Sequence, residues 1–423
     1  MKPSSLFVRI SVLAVIVLIT FASSAVASQY IVLYRFQGTP DGANATGDLL
    51  VDAAGNLYGT TSAGGANGQG TVYELVPPPA PGGAWTETIL HSFASTSADG
   101  HNPLAGLVRD AAGNFYGTTF GGGTSFDGTV FELSPPSSAG GAWTETVLYN
   151  FTGGPDGGAP QCKLLLAKNG SLVGTAFNGG ADGVGAVFML TPPASSGGAW
   201  TERVLYSFTG GNDGAHPWPG VVVDKSGNLY GVTEADGVDG NGTAFQLSPP
   251  AGGVGPWVET TLHSFGPTEG ANPVGELLLD AAGNVYGMTN LGPLTTGFGW
   301  GEVFQLVPPA SKGGAWTENI LYTFTGGTDG GNPYSGLVFD STGDLLGVNA
   351  YQGGAAAGGA IFKLSPSGGT WTETTLHDFS GGLDGLLSYS TLVRGRTGAF
   401  YGASILGGGS RIANYGTVYQ VRP

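Results

Sequence analysis

Two patterns of apolar and polar positions recur along the chain. In Trp143-Thr-Glu-Thr-Val-Leu-Tyr-Asn-Phe151 the odd members Trp143, Glu145, Val147, Tyr149 and Phe151 share one face at period two, which predicts a β-strand. In Leu49-Leu-Val-Asp-Ala-Ala-Gly-Asn-Leu-Tyr-Gly-Thr-Thr61 two short apolar runs flank an Asp-Ala-Ala-Gly-Asn turn, which predicts a hairpin. The hairpin phrase returns six more times, and its central glycine falls at Gly59, Gly117, Gly174, Gly231, Gly287, Gly347 and Gly402. Each unit of about 57 residues reads as four strands, exemplified by 107–110, 115–119, 129–133 and 143–151, with no helical periodicity. That is the size of a propeller blade, so the expectation is an all-β, seven-bladed β-propeller of four-stranded antiparallel blades.

The ends of the chain bear on closure. Tryptophan-type fourth strands follow only six repeats, at Trp85, Trp143, Trp200, Trp257, Trp316 and Trp371. The seventh stands at the N-terminus, where Val32-Leu-Tyr-Arg-Phe36 matches Ile89-Leu-His-Ser-Phe93. This strand is expected to complete the last blade beside 417–421 and so remove open edges. The framework tryptophans are expected to be buried, each costing roughly 3–5 kcal/mol on truncation to alanine.

Composition adds a compartment. Lys2 and Arg9 flank a short polar start, an apolar run follows from Ile10 to Phe21, and Ala25-Val-Ala27 precedes Ser28. This predicts a signal peptide over 1–27 and a single propeller domain over 28–423. The apolar run is shorter than the ~20 residues that a membrane helix needs. The expectation is therefore an exported protein, secreted, periplasmic or on the cell surface, without a transmembrane span in its mature form. The only cysteine, Cys162, lies far from the predicted cleavage point, so neither a lipid anchor nor a disulfide is expected. The formal charge of −16 excludes a basic nucleic-acid footprint.

Candidate chemistry concentrates in loops. The loop after each fourth strand carries Asp-Gly-x-Asn-Pro or a variant, which supplies Asp41, Asp99, Asp156, Asp213, Glu269, Asp329 and Asp384. These acids read as turn formers, since Asp bonds its own backbone and Gly accepts positive φ; the alternative is a ring of carboxylates around the channel mouth. The position after the proline varies within an otherwise monotonous repeat: Thr46, Leu104, Gln161, Trp218, Val274, Tyr334 and Tyr389. These residues either pack between innermost strands or edge the upper opening, where rings suit stacking on a sugar or anchoring a partner. The loop after the second strand is longer in repeats five to seven and adds Phe298, Trp300, Arg411 and Tyr415 as candidate ligand-binding residues. His91, His263 and His377 alternate with Tyr149, Tyr206 and Tyr322, so they read as interchangeable packing residues. Catalytic signatures, phosphate loops and His/Cys metal spacing are missing from the sequence, so no metal or cofactor is expected beyond a divalent cation without a motif.

The pattern Tyr-Gly-Thr-Thr, Gly-Gly, Gly-Thr-Val-Phe/Tyr-x-Leu, clearest at 58–75 and 116–133, resembles the GloVer tandem repeat, a choice-of-anchor family of bacterial exported proteins. The resemblance covers essentially the whole mature chain and implies a surface or secreted protein. The chain departs from that family in ending at Val421-Arg-Pro423 with no apolar tail, so a terminal anchor is not expected. The phrase at 51–58 is also similar to the hairpin of NHL and gluconolactonase-like propellers. The expected function is a monomeric binding or surface-interaction module for an extracellular glycan or protein. The rivals are a propeller hydrolase, lactonase or lyase using top-rim carboxylates, and a structural protein of the cell exterior.

Overall fold

The computed structural model describes residues 28–423 except 81, 95, 97–98, 139, 196, 254, 294–298, 312, 354–356 and 410–413. Seven antiparallel sheets succeed one another around a central axis. Blade one is Leu50–Val51, Leu57–Thr61, Thr71–Val76 and Thr86–Ser92, paired in chain order from the axis outward. Blade seven takes three strands from the C-terminus, Val393–Arg394, Phe400–Ser404 and Thr417–Arg422, and its outer strand from the N-terminus, Gln29–Arg35. The expected closure is therefore present, with Tyr30 opposite Val421 and Arg35 opposite Thr417. Among the described residues no helix is long and apolar enough to cross a membrane.

The core lies between blades, in seven clusters that each draw buried residues from two neighbours. At the centre of every cluster the phenylalanine ending one fourth strand meets the aromatic residue of the next blade's third strand, edge to face in six and tilted by 58° in Phe265–Phe304. The pairs are Phe36–Tyr73, Phe93–Phe131, Phe151–Phe188, Phe208–Phe245, Phe265–Phe304, Phe324–Phe362 and Phe379–Tyr419, with centroids 5.0–5.4 Å apart. The repeat's central glycine makes room for the second ring. A Cβ on any of the seven would fall 2.4–2.7 Å from an atom of that ring, so the position is closed to a side chain. Burying such a ring contributes about 1.5–3 kcal/mol, and the aromatic geometry about 0.5–1.5 kcal/mol more.

Two sequence expectations are corrected. The tryptophans are half-buried at the margins of the clusters, as Trp143 against Phe115 and Trp316 against Tyr230, and the buried anchors are the paired phenylalanines with Tyr73 and Tyr419. Truncating these tryptophans should therefore cost less than a core aromatic. The fourth strand also does not keep one face throughout. Val130 pairs Tyr149 while Phe131 pairs Val147, which leaves Leu148 as the extra residue of a β-bulge. The bulge sends Trp143 and Glu145 toward the preceding blade and Tyr149 and Phe151 toward the following one. All seven blades carry it at the same place, always at a leucine.

The crossing to the next blade is hooked by backbone. Asn44, Asn102, Ala159, His216, Asn272, Asn332 and Leu387 all hold φ of 50–59°, and each N–H donates to a carbonyl in a loop of the preceding blade at 2.7–3.1 Å. Asparagine is the residue that tolerates this left-handed conformation best after glycine, which accounts for the recurring Asn-Pro. Two residues beyond each hook the chain reaches the axis.

The bulge also places one carboxyl from each of six fourth strands opposite the loop acid. Burial, then repulsion from that acid, pushes Glu87, Glu145 and Glu202 up to about 7. Burial likewise pushes Glu259 up to about 7.

Two outcomes follow from this architecture. Deleting residues 28–37 removes the outer strand of blade seven together with the Phe36 ring, and exposes the Thr417–Arg422 edge. Size-exclusion chromatography should show dimers or aggregates, and the melting temperature should fall; a monomer with an unchanged melting curve would contradict the closure. Because the four glutamates bind protons more tightly in the folded chain than in the unfolded chain, the folded state carries more protons between about pH 4.5 and 7, and stability falls as pH rises through that window. Melting curves at pH 5 and pH 7.5 should show the higher melting temperature at pH 5.

Candidate functional site

The axis is lined by alternate residues of the segments that lead from each hook into the innermost strand. The upper ring consists of Thr46, Leu104, Gln161, Trp218, Val274, Tyr334 and Tyr389, the seven variable positions that follow the hook. One step further along each segment comes a second ring of Asp48, Gly106, Lys163, Gly220, Glu276, Gly336 and Thr391. Together they enclose a cavity of about 300 Å³.

One wall of the cavity is aromatic. Tyr334 stacks on Tyr389 with centroids 4.6 Å apart and 21° between planes, and Trp218 meets Tyr334 edge-on at 5.9 Å. Tyr351 closes the group behind them, 6.1 Å from Tyr334 and with its hydroxyl 2.9 Å from that of Tyr389. Burial raises both Tyr334 and Tyr389, and the Tyr351 hydrogen bond raises Tyr389 further, so both phenols stay neutral. Trp218 is backed by Phe177, which stacks on His216. His216 thus occupies a hook and supports the wall.

The floor is charged. Lys163 Nζ lies 3.0 Å from Glu276 Oε2 and 3.6 Å from Asp48 Oδ2, so one ammonium from blade three bridges carboxylates from blades five and one. Asp48 Oδ1 accepts the Thr391 N–H at 2.6 Å, and Thr391 Oγ1 accepts the Gly336 N–H at 2.9 Å, which carries the network into blades seven and six. Glu276 foremost, and Asp48 with it, hold the ammonium well above the usual lysine value against the opposing pull of burial. Burial raises Glu276 more than Lys163 lowers it. The glycines of this ring let neighbouring inner strands close on the axis, since a Cβ on Gly220 would lie 2.2 Å from the Lys163 carbonyl oxygen. Below the floor the channel widens into an apolar opening lined by Leu50, Val108, Leu165, Val222 and Val393.

The structure brings Trp218, Tyr334 and Tyr389 together in this cavity and places the other candidates elsewhere. Trp300 packs against the blade-six loop at Gly326 and Gly331, where a Cβ would strike its ring. Tyr415 covers Gly38, and its carbonyl receives the Asn44 hook. Phe298 and Arg411 lie outside the described residues. None of the seven loop acids lines the cavity. Asp41, Asp99, Asp156, Asp213, Glu269, Asp329 and Asp384 each accept a backbone N–H of their own turn. Each also lies 2.9–3.5 Å from the phenol or imidazole that ends the preceding outer strand. Tyrosine and histidine exchange at that position because either can donate to the acid.

Sequence reasoning missed Asp48, Lys163, Glu276 and Tyr351. The signal lay in the same alternation: in the second inward position, as in the first, the repeat loses its monotony. Asp, Lys and Glu stand there in blades one, three and five, and Gly in blades two, four and six.

Comparison with known proteins fits this architecture. An extracellular domain from B. thetaiotaomicron superposes with a TM-score of 0.54 at 13% identity, over 94% of this chain and 42% of that one. PorZ, a surface component of the type-IX secretion system of Porphyromonas gingivalis, superposes with a TM-score of 0.52 at 13% identity, over 92% of this chain and 47% of its own. The chain thus spans less than half the length of either, and at such identity the likeness is one of fold. No curated protein matches the sequence. The Gloeobacter/Verrucomicrobia repeat matches residues 19–144, 78–298, 123–348 and 260–423 in overlapping succession, and the chain belongs to that repeat family.

Proposed function

We propose that the protein is an exported binding module whose central cavity receives the end of a glycan. The observation that carries this reading is the convergence of Trp218, Tyr334 and Tyr389, from blades four, six and seven, on one wall of a cavity floored by Asp48, Lys163 and Glu276. Aromatic faces suit the apolar face of a sugar ring, and the polar floor with Gln161 and Thr46 offers donors and acceptors to its hydroxyls. A volume of about 300 Å³ suits one sugar unit at a chain end better than a folded protein segment. Export is supported by the signal-peptide pattern of residues 1–27.

The enzymatic alternative with top-rim carboxylates has less behind it, because each of those acids is hydrogen-bonded within its own turn. Lys163, held protonated by two carboxylates, is likewise no nucleophile.

Screening on a glycan array followed by titration tests the proposal. The double substitution Trp218→Ala with Tyr334→Ala should leave the fold intact, with a melting temperature within a few degrees of the parent. Affinity for the array's best glycan should weaken by about 2 kcal/mol or more, roughly thirtyfold. An array without binders, or a double variant that binds undiminished, would overturn the reading.

A further inference from the structure

The junction between blades four and five departs from the other six. Its loop acid is Glu269 where the rest carry aspartate, and its outer-strand donor is His263. Its third strand opens with Glu302 where the other blades have Thr71, Thr129, Ala186, Thr243, Ala360 and Thr417. The fourth strand of blade five adds Glu318. His263 Nε2 lies 3.2 Å from Glu269 Oε1 and 3.5 Å from Glu318 Oε2, and one donor atom from each of the three residues falls within 4.8 Å of the others. Neighbouring ligand atoms around one ion at bond lengths of ~2.1 Å stand about 3.0–3.4 Å apart, so the spacing suits a shared centre.

A further observation points to a missing partner: Glu302 is 3% exposed and its Oε2 has no hydrogen-bond partner. The unpaired Oε1 of Glu318 is shared by Glu87, Glu145 and Glu202 and belongs to the repeated frame. Among the described residues no lysine or arginine pairs with Glu269, Glu302 or Glu318. Gathering three carboxyls at a blade interface with only an imidazole beside them is costly unless something positive joins them.

We propose that His263, Glu269 and Glu318 bind a divalent cation at this junction, with Glu302 behind them as supporting charge. One imidazole with carboxylate oxygens and no thiolate favours Mn²⁺ or Zn²⁺ over Ca²⁺ and Mg²⁺, which prefer all-oxygen sites. His263 and Glu269 keep 19% and 26% of their side-chain surface exposed, so the ion can enter from solvent and retain water. The ligands come from a strand, the loop after it and the next blade's outer strand, which is why no motif marks them. The junction of blades one and two repeats the trio as His91, Asp99 and Glu145 but has Thr129 in place of Glu302, and serves as the internal control.

The test is isothermal titration of the full mature chain, stripped with EDTA and dialysed, with ZnCl₂, MnCl₂, CaCl₂ and MgCl₂ separately. One ion of Zn²⁺ or Mn²⁺ should bind per chain, at least about tenfold more tightly than Ca²⁺ or Mg²⁺, and should raise the melting temperature with concentration. His263→Tyr installs the residue that blades two, three and five already carry, and should weaken binding by at least about tenfold; Glu318→Gln should do the same should the first variant fold poorly. His91→Tyr should leave binding unchanged. Absence of Zn²⁺ and Mn²⁺ binding to the parent chain, binding that survives both junction variants, or loss on His91→Tyr would overturn the proposal.

Discussion

The ring depends on one contact made seven times: an aromatic side chain lying over a glycine and met at its edge by a phenylalanine from the blade before. The glycine is required for space, since a methyl group would enter the ring above it. The phenylalanine reaches its partner because a bulge turns the end of the outer strand toward the next blade. Were the strand to run through Leu148 without a bulge, unbroken alternation would leave Glu145 and Tyr149 on the same side. The same bulge therefore creates both the apolar interface and the pairing of a glutamate from one blade with a loop acid that is bonded to the blade before.

Uniformity at the interfaces allows variation at the axis. The backbone hooks carry each inner strand to the channel at a fixed height, so its first two inward side chains fall into two rings whatever their identity. Seven equivalent slots filled by unlike residues give an asymmetric cavity inside a nearly symmetric frame. Asymmetry is what a ring needs to recognise a ligand lacking sevenfold symmetry. The Lys163 bridge between Glu276 and Asp48 ties blades one, three and five across the axis, and closes the upper cavity from the apolar opening beneath it.

The fold was legible because its period, turns and central glycine are local and repeated. The N-terminal closure was legible from Phe36 and its neighbours, which match 89–93 in type and order. The bulge was not: the extra leucine is apolar, so the strand keeps an apparent alternation although its faces exchange. Trp218, Tyr334 and Tyr389 stood out because each interrupts a monotonous repeat. Asp48, Lys163 and Glu276 did not, because isolated polar residues 113 positions or more apart look solvated until the ring closes. The cluster at His263 was hidden by the exchange of histidine with tyrosine, which made the imidazole look like one more donor to a loop acid.

We propose that recognition takes place at the axis and not on the repeated framework. A crystal structure of the protein with the strongest glycan from the array tests it most directly. A terminal sugar ring is expected in the upper cavity, its apolar face against Trp218 or Tyr334 and its hydroxyls directed toward Asp48, Lys163 and Glu276. A glycan seated on the outer edge of a blade or in the apolar lower opening, with the upper cavity empty, would contradict it.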